Sequence, residues 1–240
     1  MAPADRPDRV PRTGNRILDA LPPADFARLR SEMDEVSLPV HQVVFDAQET
    51  ITSVLFPLSG VISLVTPMED GNIVEVTTVG NEGMVGVPVF LGARSTTVRA
   101  ISQVSGRALR QPVDAFLRAI DDHSQLRAVV QRYTQALFTQ ISQSAGCNRL
   151  HSNEERLARW LLMSHDRVGA DRFPITQEFL SQMLGVRRAT VTVSAGILQR
   201  AGFISYARGQ VTIVDRKGLE GASCECYRIM QTELVRLLSY

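Results

Sequence analysis

Residues 176–204 read TQEFLSQMLGVRRATVTVSAGILQRAGFI. The stretch divides at Gly185. Before it, Phe179, Leu180, Met183 and Leu184 recur at helical spacing and define one buried face. Thr176 is placed to cap that helix, and Glu178 favours its positive end. Gly185 follows the last apolar residue, where a left-handed helix end needs no Cβ. A second helix is expected from about Arg187 to Arg200, with Val191, Ala195 and Leu198 inward. Arg187, Arg188, Thr190 and either Thr192 or Val193 then face outward. A helix, a glycine turn and a second helix with a polar N-terminal end is how a chain lays a helix in the DNA major groove. Candidate DNA contacts are Thr176, Gln177, Arg187, Arg188, Thr190 and Thr192. A plain helix hairpin with a solvated arginine pair has the same pattern, so the flanking segments decide.

After the second helix comes Gly202, a helix stop. Two alternating runs follow, Phe203–Tyr206 and Val211–Val214, around Ala207-Arg208-Gly209-Gln210. This predicts a β-hairpin. A hairpin directly after such a helix is a wing, and Arg208 at its tip is placed for a phosphate. Upstream, Ser152-Asn153-Glu154-Glu155 opens a helix with a capping box. Leu157, Trp160, Leu161 and Met163 form its core face, with Trp160 a packing residue. Together these elements predict a winged helix-turn-helix. Between Asp171 and Lys217 seven basic residues stand against three acidic ones. That excess suits phosphate neutralisation, although many solvated surfaces share it.

The chain of 240 residues has room for two modest domains. Hydrophobic content of 44% and a net charge of +1 describe an ordinary globular composition. No run approaches the roughly 18 apolar residues of a membrane span. Residues 1–12 lack the apolar core of a signal peptide, so a cytoplasmic protein with a flexible N-terminus over residues 1–15 is expected. The three cysteines, Cys147, Cys224 and Cys226, are too few for a disulfide framework. Cys224 and Cys226, two apart in an expected C-terminal helix, should point to different faces. They read as packing or surface thiols. His41, His123, His151 and His165 show no ligand spacing. The sequence therefore names no metal, no cofactor and no catalytic residue.

The N-terminal half has a different texture. Residues 16–33 look helical, broken at Pro22-Pro23. Short strands between turn signals then follow, at 40–45, 53–56, 60–65, 73–79 after the Asp70-Gly71-Asn72 turn, 97–102 and 106–111. Such spacing argues for a small antiparallel barrel or jelly roll. Asp114 is expected to cap a short helix. A long helix should follow over 124–146, with Leu126, Val130, Tyr133, Leu137, Ile141 and Ser144 in one stripe. That stripe serves either one subunit's core or a dimer seam. The seam is preferred, because a twofold dimer presents two recognition helices one DNA turn apart.

This order of parts resembles the bacterial Crp/Fnr regulators, over about residues 21–214. Three stretches carry the resemblance: ITQEFLSQMLGVRRATV, the glycine-spaced hairpin around Gly60 and Gly71, and Gly86 through Ala100 ending RSTTVRA. It implies an α+β fold with five parts. These are a flexible N-terminus (1–15), a cyclic-nucleotide-binding-like sensor barrel (16–122), a dimerisation helix (123–147), a winged helix-turn-helix (148–218) and a C-terminal helix (219–240). It implies a homodimer on double-stranded DNA, with RNA polymerase and a small-molecule effector as candidate partners, and no enzyme activity. Gly86, Arg94 and Ser95 correspond to the family's phosphate cassette, where a guanidinium and a hydroxyl suit a cyclic phosphate. The chain departs from the family where Gly-Glu-Leu becomes Gly86-Val87-Pro88-Val89. A ribose hydroxyl loses a charge-assisted bond of about 1.5–3 kcal/mol there, which argues against cyclic AMP. Glu82 lies out of register. No cysteine precedes Cys147, which argues against the oxygen sensors' iron–sulfur cluster. In the recognition helix Arg188 can read guanine, while Ala189 and Val193 replace charged readers and suit a thymine methyl. Two alternatives differ in class. One is a small-molecule-responsive module with a degenerate DNA-binding domain. The other is a metal-dependent barrel enzyme, which His41 as the barrel's sole histidine argues against.

Overall fold

The strand-and-turn texture of the N-terminal half folds into two antiparallel sheets sharing one apolar interior. The computed structural model describes residues 13–238. Residues 1–12 of the expected flexible N-terminus lie outside the described residues. Thr13–Asn15 belong to the fold instead: buried Asn15 caps the first helix and donates to the carbonyls of Pro57 and Gly83. The entry helices are α1 (Arg16–Asp19) and α2 (Pro23–Arg30), divided at Pro22-Pro23.

The first sheet has strand order β1–β7–β3, with β1 Asp34–Leu38, β3 Ser53–Pro57 and β7 Gly106–Pro112. The second has order β2–β6–β4–β5, with β2 Val43–Phe45, β4 Val61–Pro67, β5 Ile73–Val79 and β6 Arg99–Val104. Leu38, Val54, Phe56, Ile62, Val79, Ala100 and Leu109 meet in the shared core. Three expectations shift. The strand expected over 40–45 starts at Val43, because His41 adopts a left-handed φ of 68° and its N–H turns to the Ser102 carbonyl. The strand expected at Thr97 begins at Arg99, because the Thr96 hydroxyl accepts from the Val98 N–H and holds a turn. Asp114 does not cap α4 (Val113–Asp122); Pro112 occupies that position, and Asp114 pairs with Arg94. The short α3 spans Val87–Phe90.

The long helix α5 runs Ser124–Leu150. Its stripe is largely buried within the subunit: Leu126, Val130, Tyr133 and Leu137 join the barrel core. This corrects the preferred dimer-seam reading of those residues. The barrel's own apolar surface lies beside them, so the hydrophobic effect is satisfied without a second chain. Tyr133 lies so close to Gly83 that a Cβ there would sit 2.2 Å from its ring. The opposite side of α5 is open, with Gln131, Gln135, Phe138, Ser142 and Ala145 in one row.

A second core holds the C-terminal domain. It comprises α6 (Asn153–Val168), β8 (Arg172–Pro174), α7 (Gln177–Leu184), α8 (Arg188–Arg200), β9 (Ile204–Ala207), β10 (Gln210–Ile213) and α9 (Arg216–Ala222). Strand order β8–β10–β9 makes the wing sheet. The last helix, α10 (Glu225–Leu238), bridges both halves. Tyr227 and Met230 join the second core, while Leu234 and Leu238 reach the barrel.

Candidate nucleic-acid interface and sensor cavity

The helix-turn-helix is built from the capping chemistry its sequence announces. The Thr176 hydroxyl accepts from the Phe179 N–H at 3.1 Å. Gly185 ends α7 at φ 63°. Ser152 and Glu155 form the reciprocal capping box of α6. Phe179, Leu180, Met183, Leu184, Val191, Ala195 and Leu198 are all buried. Two bonds from α6 fix the pair. Buried Arg156 donates to the Leu184 carbonyl at the end of α7. Glu154 accepts from the Ser194 hydroxyl of α8 at 2.8 Å.

Arg187 is the N-cap residue of α8 and Arg188 its first residue, and both side chains are exposed. Thr192 is exposed and Thr190 half-buried on the same end. The Thr192 hydroxyl donates to Gln177 Oε1 at 2.8 Å, tying two expected contacts together. Thr176 is exposed beside the wing, its methyl 3.7 Å from where a Gly209 Cβ would lie. The wing turn places Arg208 at φ 51° and Gly209 at φ 72°, the paired left-handed conformation of a tight hairpin, with Arg208 exposed. The seven expected contact residues thus lie on α7, α8 and the wing tip of one domain. Val193 also faces out, 60% exposed, an apolar side chain suited to a thymine methyl.

The cassette residues separate. Arg94 and Ser95 are exposed, and Arg94 turns to Asp114 at 3.1 Å. Neither lines the barrel cavity. That cavity, about 190 Å³, lies between the second sheet, α3 and α5. Gly86 lines it, together with Leu64, Met84, Val87, Leu137 and Ile141; Thr77 and Thr96 contribute polar side chains. Among the described residues, no charged group lines it. Glu82 is committed elsewhere, in a buried pair with Arg167 of α6 at 2.8 Å.

That pair belongs to a contact the sequence did not announce, in which the winged domain docks on its own barrel. Arg167 also donates to the Thr78 carbonyl and to Gln140. The Trp160 indole N–H donates to Glu75 Oε1 at 2.9 Å, so Trp160 does more than pack. His41 meets the Phe179 ring at 6.1 Å between centroids. Burial pushes the Glu75 carboxyl up to about 7, against the lowering effect of its bonds from Ser63 and Trp160. Sequence periodicity cannot reveal such contacts, because their partners stand far apart along the chain.

Two family descriptions match the chain: a cyclic nucleotide-binding domain over residues 35–123 and a Crp-like helix-turn-helix domain over residues 155–222. Among solved structures, the chain is similar to a transcriptional regulator of the Crp/Fnr family from Eubacterium rectale, at 18% identity and TM-score 0.66, covering 84% of this chain and 94% of that one. It is similar to FixK2 from Bradyrhizobium japonicum, at 15% identity and TM-score 0.69, covering 80% and 98%. It is also similar to CLP from Xanthomonas campestris, described as a c-di-GMP responsive global regulator, at 13% identity and TM-score 0.66, covering 79% and 98%. No curated protein matches.

Proposed function

Because the chain belongs to the Crp/Fnr family of DNA-binding transcription regulators, we propose that it acts as a cytoplasmic, non-enzymatic homodimer on a pseudo-palindromic site. The observation that carries this reading is the exposed start of α8, where Arg187 and Arg188 face solvent, with the wing-tip residue Arg208 exposed in the same domain. Arg188 reads a base edge; Arg187, Arg208 and Thr176 position the duplex through phosphates. The outward row of α5 centred on Phe138, 65% exposed, supports the dimer seam. RNA polymerase remains a candidate partner for the resulting complex.

The barrel takes a small apolar effector rather than cyclic AMP. A cyclic phosphate in this cavity would meet no cation, and its ribose no carboxylate, among the described residues. Burying that charge unpaired costs several kcal/mol. An effector acts by binding one arrangement of barrel and winged domain better than the other. The test titrates duplex DNA with purified protein at two salt concentrations, for the native chain and for Arg187→Ala/Arg188→Ala. Tight, salt-sensitive binding that the double variant loses is the expected result. Binding that the double variant retains would remove α8 from the interface.

A further inference from the structure

The structure gathers Cys147, His151, Cys224 and Cys226 into one cluster, and their four ligand atoms all lie within 4.8 Å of one another. Cys224 precedes α10 rather than lying in it, so the helical divergence expected for two cysteines two apart does not arise. Cys147 and His151 are one helical turn apart at the end of α5, a spacing that does place two ligands side by side. The sequence carries that signal as C-x-x-x-H and C-x-C, but their 77-residue separation hides the pairing.

We propose that this cluster is a Cys3His site for a single tetrahedral divalent cation of the zinc class. The Sγ atoms of Cys147 and Cys224 are 3.5 Å apart, and Cys226 Sγ is 3.5 Å from His151 Nδ1. A tetrahedral ion with metal–sulfur bonds of about 2.3 Å and a metal–nitrogen bond of about 2.0 Å sets these edges at about 3.8 and 3.5 Å. A four-iron cluster holds its thiolates on the order of 6 Å apart, wider than any separation here. The three sulfurs are buried and belong to neither hydrophobic core.

The surroundings match a metal site. With Nδ1 facing the sulfurs, His151 Nε2 lies 3.3 Å from the Glu225 carboxylate, the partner that orients a ligating imidazole. Gln143 Nε2 donates to Cys226 Sγ at 3.2 Å. Nearby Arg159 is 6% exposed and turns to the sulfurs of Met163 and Met230. Its Nε has no partner among the described residues. Three thiolates, a neutral imidazole and a divalent ion carry a net charge of about −1, which offsets that guanidinium. His151 is also one of the two residues between α5 and α6, so the ion fastens α10 to the joint from which the winged domain hangs.

The experiment measures metal content of the full chain, purified without chelator from zinc-supplemented cells. Near one zinc per chain is expected, released by a thiol-modifying reagent. Cobalt substitution should give the intense visible bands of a tetrahedral thiolate site. Cys147→Ser/Cys224→Ser should lower bound zinc at least about tenfold. Should that variant fail to fold, Glu225→Gln keeps all four ligands and should weaken zinc affinity by about 10–100-fold in a competition titration. Free thiols without metal, a Cys147–Cys224 disulfide, acid-labile sulfide, or full zinc retention in a folded double variant would each overturn the assignment.

Discussion

Replacing Glu75 with Gln tests how the winged domain docks on the barrel, and counting hydrogens gives the expected sign. Ser63 Oγ lies 2.7 Å from Glu75 Oε2 and 2.5 Å from Gln103 Oε1. A hydroxyl has one hydrogen, and the Gln103 oxygen can only accept. With Glu75 protonated, one hydroxyl serves both contacts, Ser63 donating to Gln103 while accepting from the carboxyl. The Trp160 N–H satisfies the other oxygen. Desolvation supports that state, raising the carboxyl from 4.5 to about 7 although Arg159 and Arg167 pull it down. A difference of this size corresponds to about 3 kcal/mol. The residue keeps some solvent contact, which reduces it to about 2 kcal/mol. Below the unfolded value both states hold the proton and the contact is at full strength. As pH rises toward 7 the unfolded chain binds fewer protons than the folded one, so stability falls, and above 7 the contribution is lost. Gln keeps both bonds without a charge. In urea unfolding, Glu75→Gln should match the native chain near pH 5 within about 1 kcal/mol and exceed it by about 2 kcal/mol at pH 8. A variant less stable than the native chain at pH 8, or a difference independent of pH, would refute the protonated network.

Four further outcomes follow from the same geometry. Arg188→Ala should weaken specific DNA binding by about 1–3 kcal/mol and relax one base position in anisotropy titrations against single-base variants; equal loss on random DNA would reassign it to phosphates. Arg208→Ala at the wing tip should weaken binding on all sequences and lower the salt slope by about one. Phe138→Asp on the open row of α5 should shift the sedimentation equilibrium toward monomer, whereas an unchanged dimer would move the seam elsewhere. Arg167→Met strands the buried Glu82 carboxylate and should cost about 3–5 kcal/mol in the same unfolding assay.

Legibility in the sequence followed the range of the interaction. The caps at Thr176 and Ser152, the turn at Gly185 and the wing at Arg208-Gly209 are local chemistry, and each stands where its residues place it. The inward faces of α7 and α8 were equally plain from spacing. The stripe on α5 was read correctly as buried, but period alone does not say against what; the barrel rather than a second chain covers Leu126 to Leu137. His41 broke an expected strand because its left-handed φ is set by a long-range bond to Ser102. Arg94-Ser95 matched a family motif, yet side-chain direction is fixed by neighbours, and Asp114 draws Arg94 outward. The pairing of the two short cysteine motifs and the Glu75–Trp160 contact depend on partners remote in sequence, which no local pattern encodes.

Sequencing of random duplexes selected by the purified protein shows whether α8 reads DNA as one half of a symmetric pair. A twofold-symmetric site is expected, its half-sites centred about 10–10.5 base pairs apart, with one guanine position lost when Arg188→Ala is selected in parallel. No enriched motif, or a motif unchanged by that substitution, would contradict it.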